Sequence, residues 1–449
     1  LMIRRPPRST LDRSSAASDV YKRQKQLREN HTVKRSFSSA VVPTRHGLAE
    51  DDLLKHAPSK WAHRQPPFKV MEVLKRARAI EREGRRVIHF EVGEPEFPTP
   101  LAVVKAGKQA LDDGHTGYSE ALGIPELRIA IADDYRSRFG INVDPSRVAV
   151  TSGASGALNL LFSVLLNPGD RVLMPDPGYP CNEAFVRLVG GEPIRMPVDE
   201  RTGFQPTAKI VDEHWTAKTV GVVLATPSNP TGAMIQKAQL TAINEFVAER
   251  GGFVMVDEIY QGLVYEPDVT EVATSSLGIE PNLIVVNSFS KYFGMTGWRL
   301  GWCVVPDGLI EALERAAQNL YIAPPTVAQY AALAAYSSEG FRELEERRVL
   351  LKQRRDLMHR GLIDAGLEIP LMPRGAIYLY ANISSLGTDA ETFSGRLIDD
   401  YQVGVTPGTD FGSYRAMDHV RFAFTADEQH IREGTEKISH AVRRFQNEV

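Results

Sequence analysis

Ser288-Phe289-Ser290-Lys291, followed by Arg299 within Gly297-Trp298-Arg299-Leu300-Gly301, sets a lysine beside hydroxyls and a guanidinium suited to a phosphate. Covalent capture of pyridoxal phosphate requires that combination: an amine held against the aldehyde, and an anchor that keeps the phosphate in place. Upstream, the apolar run Phe253-Val254-Met255-Val256 ends in Asp257-Glu258-Ile259-Tyr260. A carboxylate at the mouth of a buried strand can keep a pyridine nitrogen protonated, which turns the ring into an electron sink.

Short apolar runs recur along the chain at Val148 to Val150, Val172 to Met174, Val220 to Leu224, Phe253 to Val256, Leu283 to Val286 and Trp302 to Val305. Continuous rather than alternating apolar character predicts strands covered on both faces. Between them lie helical patterns such as Ser155 to Leu166 and Leu240 to Glu249, where Leu240, Ile243 and Val247 share one face. An α/β architecture follows, with a mostly parallel sheet between helices. Val70, Val73, Leu74, Ala77 and Ile80 predict an amphipathic helix from Lys69 to Glu83, stopped at Gly84. Beyond about residue 325 the texture changes, and Phe341 to Arg360, with Glu343 and Arg347 at i,i+4 spacing, predicts a long solvated helix.

With 449 residues, 43% of them hydrophobic and 24% charged, the chain is long enough for two domains around substantial cores. No run of about eighteen apolar residues is present, which argues against a membrane-spanning helix. A formal net charge of −3 argues against a nucleic-acid footprint. Two cysteines, Cys181 and Cys303, cannot build a disulfide framework and fit a reducing, cytoplasmic compartment; Cys303, inside an apolar run, reads as a small core residue. Residues 1–24 run against the overall charge, with Arg4, Arg5, Arg8, Arg13, Lys22 and Arg23 against Asp12 and Asp19. An organelle presequence has that texture and would direct the protein to an organelle matrix. The stretches Met2 to Thr10 and Val20 to Gln24 read better as translated sequencing-adapter sequence, a non-native or disordered leader. Residues 25–67 have weak periodicity and read as an N-terminal arm.

Further motifs stand in order around the lysine. They are Glu91-Val92-Gly93-Glu94-Pro95, Gly117-Tyr118-Ser119-Glu120-Ala121, Gly153-Ala154-Ser155-Gly156-Ala157, Asp176-Pro177-Gly178-Tyr179-Pro180, Pro227-Ser228-Asn229-Pro230-Thr231-Gly232, Val405-Thr406-Pro407-Gly408-Thr409-Asp410-Phe411 and Val420-Arg421-Phe422-Ala423-Phe424. Each alone has a plainer explanation. Ser155 can cap a helix, Asn229 can close a turn before a proline, Tyr118, Tyr179 and Tyr260 can pack in loops or core, and Arg421 can sit on a strand edge. Taken as an ordered series over about residues 68–440, they resemble the class I/II aminotransferases of the fold-type I pyridoxal-phosphate family.

The resemblance implies a large cofactor-binding domain at 99–324 and a smaller α+β domain built from 68–98 and 325–449. It implies Lys291 as the lysine that binds the cofactor covalently and shuttles the proton, with Asp257 at the ring nitrogen and Asn229 and Tyr260 at the phenolic oxygen. Ala154, Ser155, Ser288, Ser290 and Arg299 become phosphate ligands, and Tyr179 stacks on the ring. Gly93, Asn229 and Arg421 face the substrate, the guanidinium gripping its α-carboxylate. Tyr118 reaches the cofactor phosphate of a neighbouring subunit, which makes the active unit a homodimer. No metal is expected. The expected activity is ping-pong amino transfer between an L-amino acid and a 2-oxo acid, with a broad or neutral and aromatic range and aspartate still possible. A β-lyase cleaving C–S bonds on the same fold is an alternative, because related chemistries share these ring-holding residues. The other is a non-catalytic effector domain, which the intact chemical residues disfavour.

Overall fold

The apolar runs become strands because each is covered on both faces. In the computed structural model, which describes residues 59–265, 276–280 and 283–448, Val222 and Leu224 pack with Leu173, Val254 and Ile243. Val223 between them packs on the opposite side with Met174, Met255 and Val286. A two-residue period with apolar groups on both sides reads as an unbroken apolar run, and each fully buried Val or Leu contributes roughly 1.5–3 kcal/mol.

The strands in chain order are β1 (Ile88–His89), β2 (Val148–Thr151), β3 (Arg171–Asp176), β4 (Glu192–Pro197), β5 (Thr219–Ala225), β6 (Phe253–Asp257), β7 (Ile284–Ser288), β8 (Gly301–Val304), β9 (Tyr378–Asn382), β10 (Val403–Gly404), β11 (Thr406–Pro407) and β12 (His419–Ala423). Seven form one sheet in the order β2-β8-β7-β6-β5-β3-β4. β4, β3, β5, β6 and β7 run parallel, while β8 is antiparallel to both β7 and β2. The run at Trp302, expected in a largely parallel sheet, is therefore its one reversed strand among the described residues. Cys303 on it is fully buried. β4, half of whose residues are exposed, carries no continuous apolar run and escaped the sequence reading.

The later part of the chain builds an antiparallel sheet, β11-β12-β9, in which Arg421 lies between Thr406 and Tyr380. β1 pairs in parallel with β10 over only two residues, Ile88 with Val403 and His89 with Gly404. The expected amphipathic helix runs Lys69–Arg82 with Val70, Ala77 and Ile80 buried, and Gly84 at φ 85° ends it.

The long helix Ser338–Asp364 is less solvated than its charges suggest. Leu344, Leu351, Met358, Leu362 and even Arg355 are buried on it. The guanidinium carbons of Arg347 and Arg354 lie 5.3 and 4.9 Å from the Phe97 ring. Its basic residues are thus partly packing residues, their aliphatic stems lying along apolar surface. From Lys60 onward the chain forms one compact unit. The leader expected at 1–24 and the arm up to residue 58 lie outside the described residues. Within the remainder of that arm a short helix forms at Lys60–Arg64.

Candidate active site

The parallel strands point their carboxyl ends the same way, and that edge collects the loops that carry chemistry. Asp257 closes β6 and aligns with Ala225 of β5 and Val286 of β7. Ser288 closes β7 and leads directly to Ser290 and Lys291. Tyr179 follows β3, Asn229 follows β5, and the helix Gly153–Leu165 opens immediately after β2. Gly93 arrives on the loop after β1, and β12 delivers Arg421 from the smaller sheet. Gly93, Tyr179, Asn229, Asp257, Tyr260, Lys291 and Arg421 all line one cavity of about 240 Å³. Phe68, Val70, Met71, Ile259 and Tyr378 supply much of its apolar wall, with Glu94 and Thr296 also lining it.

Lys291 Nζ donates to the Gly93 carbonyl at 2.6 Å. Burial lowers its pKa to about 8, opposed by Glu94 and Asp257 and reinforced by Arg421 and Arg299. The lowered pKa favours the neutral amine, the form that acts as nucleophile or base. Asp257 is pushed the other way, to about 6, by burial, against the pull of the Ile259 amide and of Lys291. Its Oδ1 accepts that amide at 3.1 Å. A buried carboxylate with so little compensation is suited to a cationic partner, because a positive charge beside it removes the desolvation penalty.

At the other end lies an anion cradle. The helix Gly153–Leu165 begins with no side-chain cap, so its first amides have no capping acceptor. Gly153 sits at φ 77°, and a Cβ there would lie 2.8 Å from Arg299 Nη2. Arg299 holds a left-handed φ of 54° and its guanidinium is exposed, bonded through Nη1 to the Thr296 carbonyl at 3.0 Å. Strain at a non-glycine residue is kept where surrounding structure demands a side chain in one place. Ser288 Oγ accepts the Ser290 amide at 3.0 Å, which fixes the turn that carries Lys291. Ala154 and Ser155 lie in the first turn of the uncapped helix. An uncapped helix start beside an arginine fits a phosphate, an amine beside it fits an aldehyde, and a buried carboxylate fits a protonated ring nitrogen. The residues therefore fit pyridoxal phosphate.

Arg421 is 3% exposed and already held on several sides. Nη1 donates to Asn229 Oδ1 at 2.9 Å, and Nη2 to the Glu91 carbonyl at 2.6 Å and to Thr406 Oγ1 at 3.3 Å. Its guanidinium carbon lies 4.2 Å from the Tyr378 ring centroid and 4.7 Å from that of Phe411. Nε is buried with no hydrogen-bond partner, a donor left for a ligand. Tyr260 shares a 2.7 Å hydrogen bond with Tyr378, and burial raises the Tyr260 pKa well above the usual phenol range. A Cβ on Gly93 would lie 1.9 Å from the Tyr378 hydroxyl, so only glycine allows that approach. Tyr118 does not line the cavity and its ring is 82% exposed.

Sequence reading missed Tyr378, Thr406 and Glu91 as site residues. Ile377-Tyr378-Leu379-Tyr380 reads as an ordinary apolar strand, and a main-chain carbonyl such as that of Glu91 leaves no mark in a sequence.

Comparison with known proteins agrees with this geometry. The family described as aminotransferase class I and II matches residues 85–438. A valine–pyruvate aminotransferase of Mycobacterium tuberculosis is 38% identical over 83% of this chain and 95% of its own. An aspartate/prephenate aminotransferase of Thermus thermophilus is 33% identical over 86% and 99%. Among solved structures, an aminotransferase from Mycobacterium tuberculosis superposes with a TM-score of 0.83 at 36% identity, covering 87% of this chain and all of the other. Aspartate aminotransferase from Thermus thermophilus with maleate gives 0.79 at 32%, covering 86% and all of the other. The chain belongs to the class I and II aminotransferases and is a pyridoxal-phosphate-dependent aminotransferase.

Proposed function

We propose that this aminotransferase moves the amino group of a neutral or aromatic L-amino acid to a 2-oxo acid by a ping-pong route, as a homodimer. One observation carries the substrate choice. The side-chain wall of the cavity is formed by Phe68, Val70, Met71, Ile259 and Tyr378, and the cations lining it are Lys291 and Arg421, both with other work to do. A distal carboxylate would need a third cation, and Glu94 on the same wall would repel it. The relative named for valine and pyruvate supports this range. Those named for aspartate keep a dicarboxylic donor as the second reading, with the extra charge supplied from a partner subunit. The exposed Tyr118 supports the dimer, in which it reaches the neighbouring phosphate. Two free cysteines support a reducing, cytoplasmic setting.

In this reading Arg421 grips the α-carboxylate and so turns the Cα–H bond toward Lys291. Lys291, released from its bond to the Gly93 carbonyl, would take the proton from Cα and return it two atoms away, at the carbon of the cofactor's aldehyde group. Asp257 would keep the ring nitrogen of bound cofactor protonated, Asn229 and Tyr260 would hold its phenolic oxygen, and Tyr179 would limit its tilt. Ala154, Ser155, Ser288, Ser290 and Arg299 hold the phosphate. Bound pyridoxal phosphate supplies the conjugated ring that spreads the negative charge left at Cα. Residues 68–98 with 325–449 act as the smaller domain carrying the carboxylate grip, and 99–324 as the larger one carrying the cofactor.

A panel of amino donors against 2-oxoglutarate and pyruvate tests the range. We expect neutral or aromatic donors to lead. A kcat/KM for aspartate about 10³ above every neutral amino acid, about 4 kcal/mol, would overturn the apolar-wall reading. Pyruvate and ammonia formed from a β-substituted amino acid without any acceptor would favour the lyase instead.

A further inference from the structure

Behind the cavity, outside the residues that line it, His89 stands between two carboxylates. Its Nδ1 is 2.7 Å from Glu91 Oε1 and its Nε2 is 3.2 Å from Glu81 Oε1. Two ionised carboxylates can both be satisfied only if both ring nitrogens carry protons, so the geometry is that of an imidazolium. Glu91 is fully buried, and its second oxygen, Oε2, has no polar partner. That oxygen is backed by the Gly404 Cα, where a Cβ would lie 2.3 Å away. His89 is therefore the counter-charge of a carboxylate that has no water to fall back on.

The same Glu91 holds the site from its other face. Its main-chain oxygen accepts Arg421 Nη2 at 2.6 Å and Thr406 Oγ1 at 3.0 Å. β1, which ends two residues earlier, pairs with β10 over two positions, and Phe90 extends the hold through its amide to the Gly404 carbonyl at 2.9 Å and its carbonyl to the Ala423 amide at 2.7 Å, so the backbone is fixed up to Glu91 and the Glu91 side chain is the next anchor. We propose that the row Glu81–His89–Glu91 is a positioning device for the substrate-carboxylate grip: it pins the Glu91 side chain, so that the Glu91 carbonyl keeps Arg421 aligned. The inference rests on Arg421 being the carboxylate ligand.

The row is also sensitive to alkali. Hydrogen bonding to Glu91, opposed by burial and supported by Glu81, raises the His89 pKa to about 9. No other charge acts on it comparably. β10 brings Val403 and Gly404 alongside, and the helix Glu428–Glu448 brings Glu433, already paired with Arg86 and Lys437. A histidine raised in the folded state stabilises it fully below the ordinary value of 6.5 and ceases to do so as pH rises through about 9.

Steady-state kinetics of the cofactor-loaded enzyme test the row, with Arg421→Lys as reference. His89→Phe strands the Glu91 charge and is expected to raise the amino-donor KM about tenfold while kcat stays within about threefold. His89→Phe/Glu91→Gln strands none and should return KM to within about threefold of wild type. Wild-type KM should rise as pH passes about 9. Glu91→Gln keeps the main-chain carbonyl and lets its amide donate to a neutral His89, and its KM should not show that rise with pH. It also provides a readout if His89→Phe does not fold. An unchanged KM in His89→Phe, a defect that the double variant does not relieve, or a rise above pH 9 that persists in Glu91→Gln would each overturn the proposal. If Arg421→Lys itself leaves KM unaltered, the carboxylate reading fails and the proposal falls with it.

Discussion

The two sides of the cavity are prepared in opposite ways. On the large-sheet side, Lys291 and Asp257 are held with few partners, one depressed to about 8 and the other raised to about 6 by burial. On the small-sheet side, Arg421 is locked by Asn229, Glu91 and Thr406 and stacked between Tyr378 and Phe411. Groups that must change protonation or bonding are left electrostatically unsatisfied, so that a ligand relieves them. A group that must only recognise is held in place in advance, Arg421 keeping only Nε open, so that little motion is frozen when substrate arrives. Reactivity and recognition thus come from different sheets meeting at one cavity.

The largest effect should follow removal of the unsatisfied amine. Lys291→Ala is expected to lower kcat by about 10⁴, since both cofactor attachment and proton transfer are lost. Single-turnover rates would check it, and near-normal turnover would dismiss Lys291 from the chemistry. On the recognition side, Arg421→Lys keeps the charge but loses the planar fork, and kcat/KM should fall about 100-fold. If lysine serves equally well, the pre-set geometry around Arg421 has no purpose. The smallest effect concerns stability. Raised in the folded state, the Asp257 carboxyl destabilises the cofactor-free protein when ionised, fully above about pH 6 and not at all below its ordinary value of 3.8. Asp257→Asn should therefore raise the Tm of the cofactor-free protein at pH 8 by about 2–4 °C while impairing catalysis. A lower Tm would mean that Asp257 is satisfied without a cationic partner, and the contrast between the two sides would collapse.

The reactive side was far more legible in the sequence than the recognising side. Lys291, Ser288, Ser290 and Arg299 lie within a dozen residues, and Asp257 ends an apolar run, so local chemistry suggests them as candidates and the ordered series of motifs supports the suggestion. The sheet was legible for the same reason, since burial on both faces leaves continuous apolar runs. β4 and the antiparallel sense of β8 were not, because partial burial blurs the pattern and direction depends on partners. Arg421 was identifiable through family resemblance, but its supports were hidden. Glu91 acts through its main chain, and Tyr378 is one aromatic in an apolar strand. The charge-rich helix Ser338–Asp364 misled because an arginine that stacks on Phe97 or is buried like Arg355 has the same letter as one in water.

The hydrogen bond from Arg421 to Glu91 joins residues 330 positions apart in the chain. During synthesis the nascent polypeptide carries Asp257, Lys291 and Arg299 well before Arg421 leaves the ribosome. On the proposed assignment, the residues that would hold the cofactor are therefore translated ahead of the arginine that would grip the substrate. On that assignment, a chain arrested shortly before Arg421 would hold the residues meant for pyridoxal phosphate and lack the arginine meant for the amino acid. The order of translation thus separates acquiring the reagent from acquiring control over it.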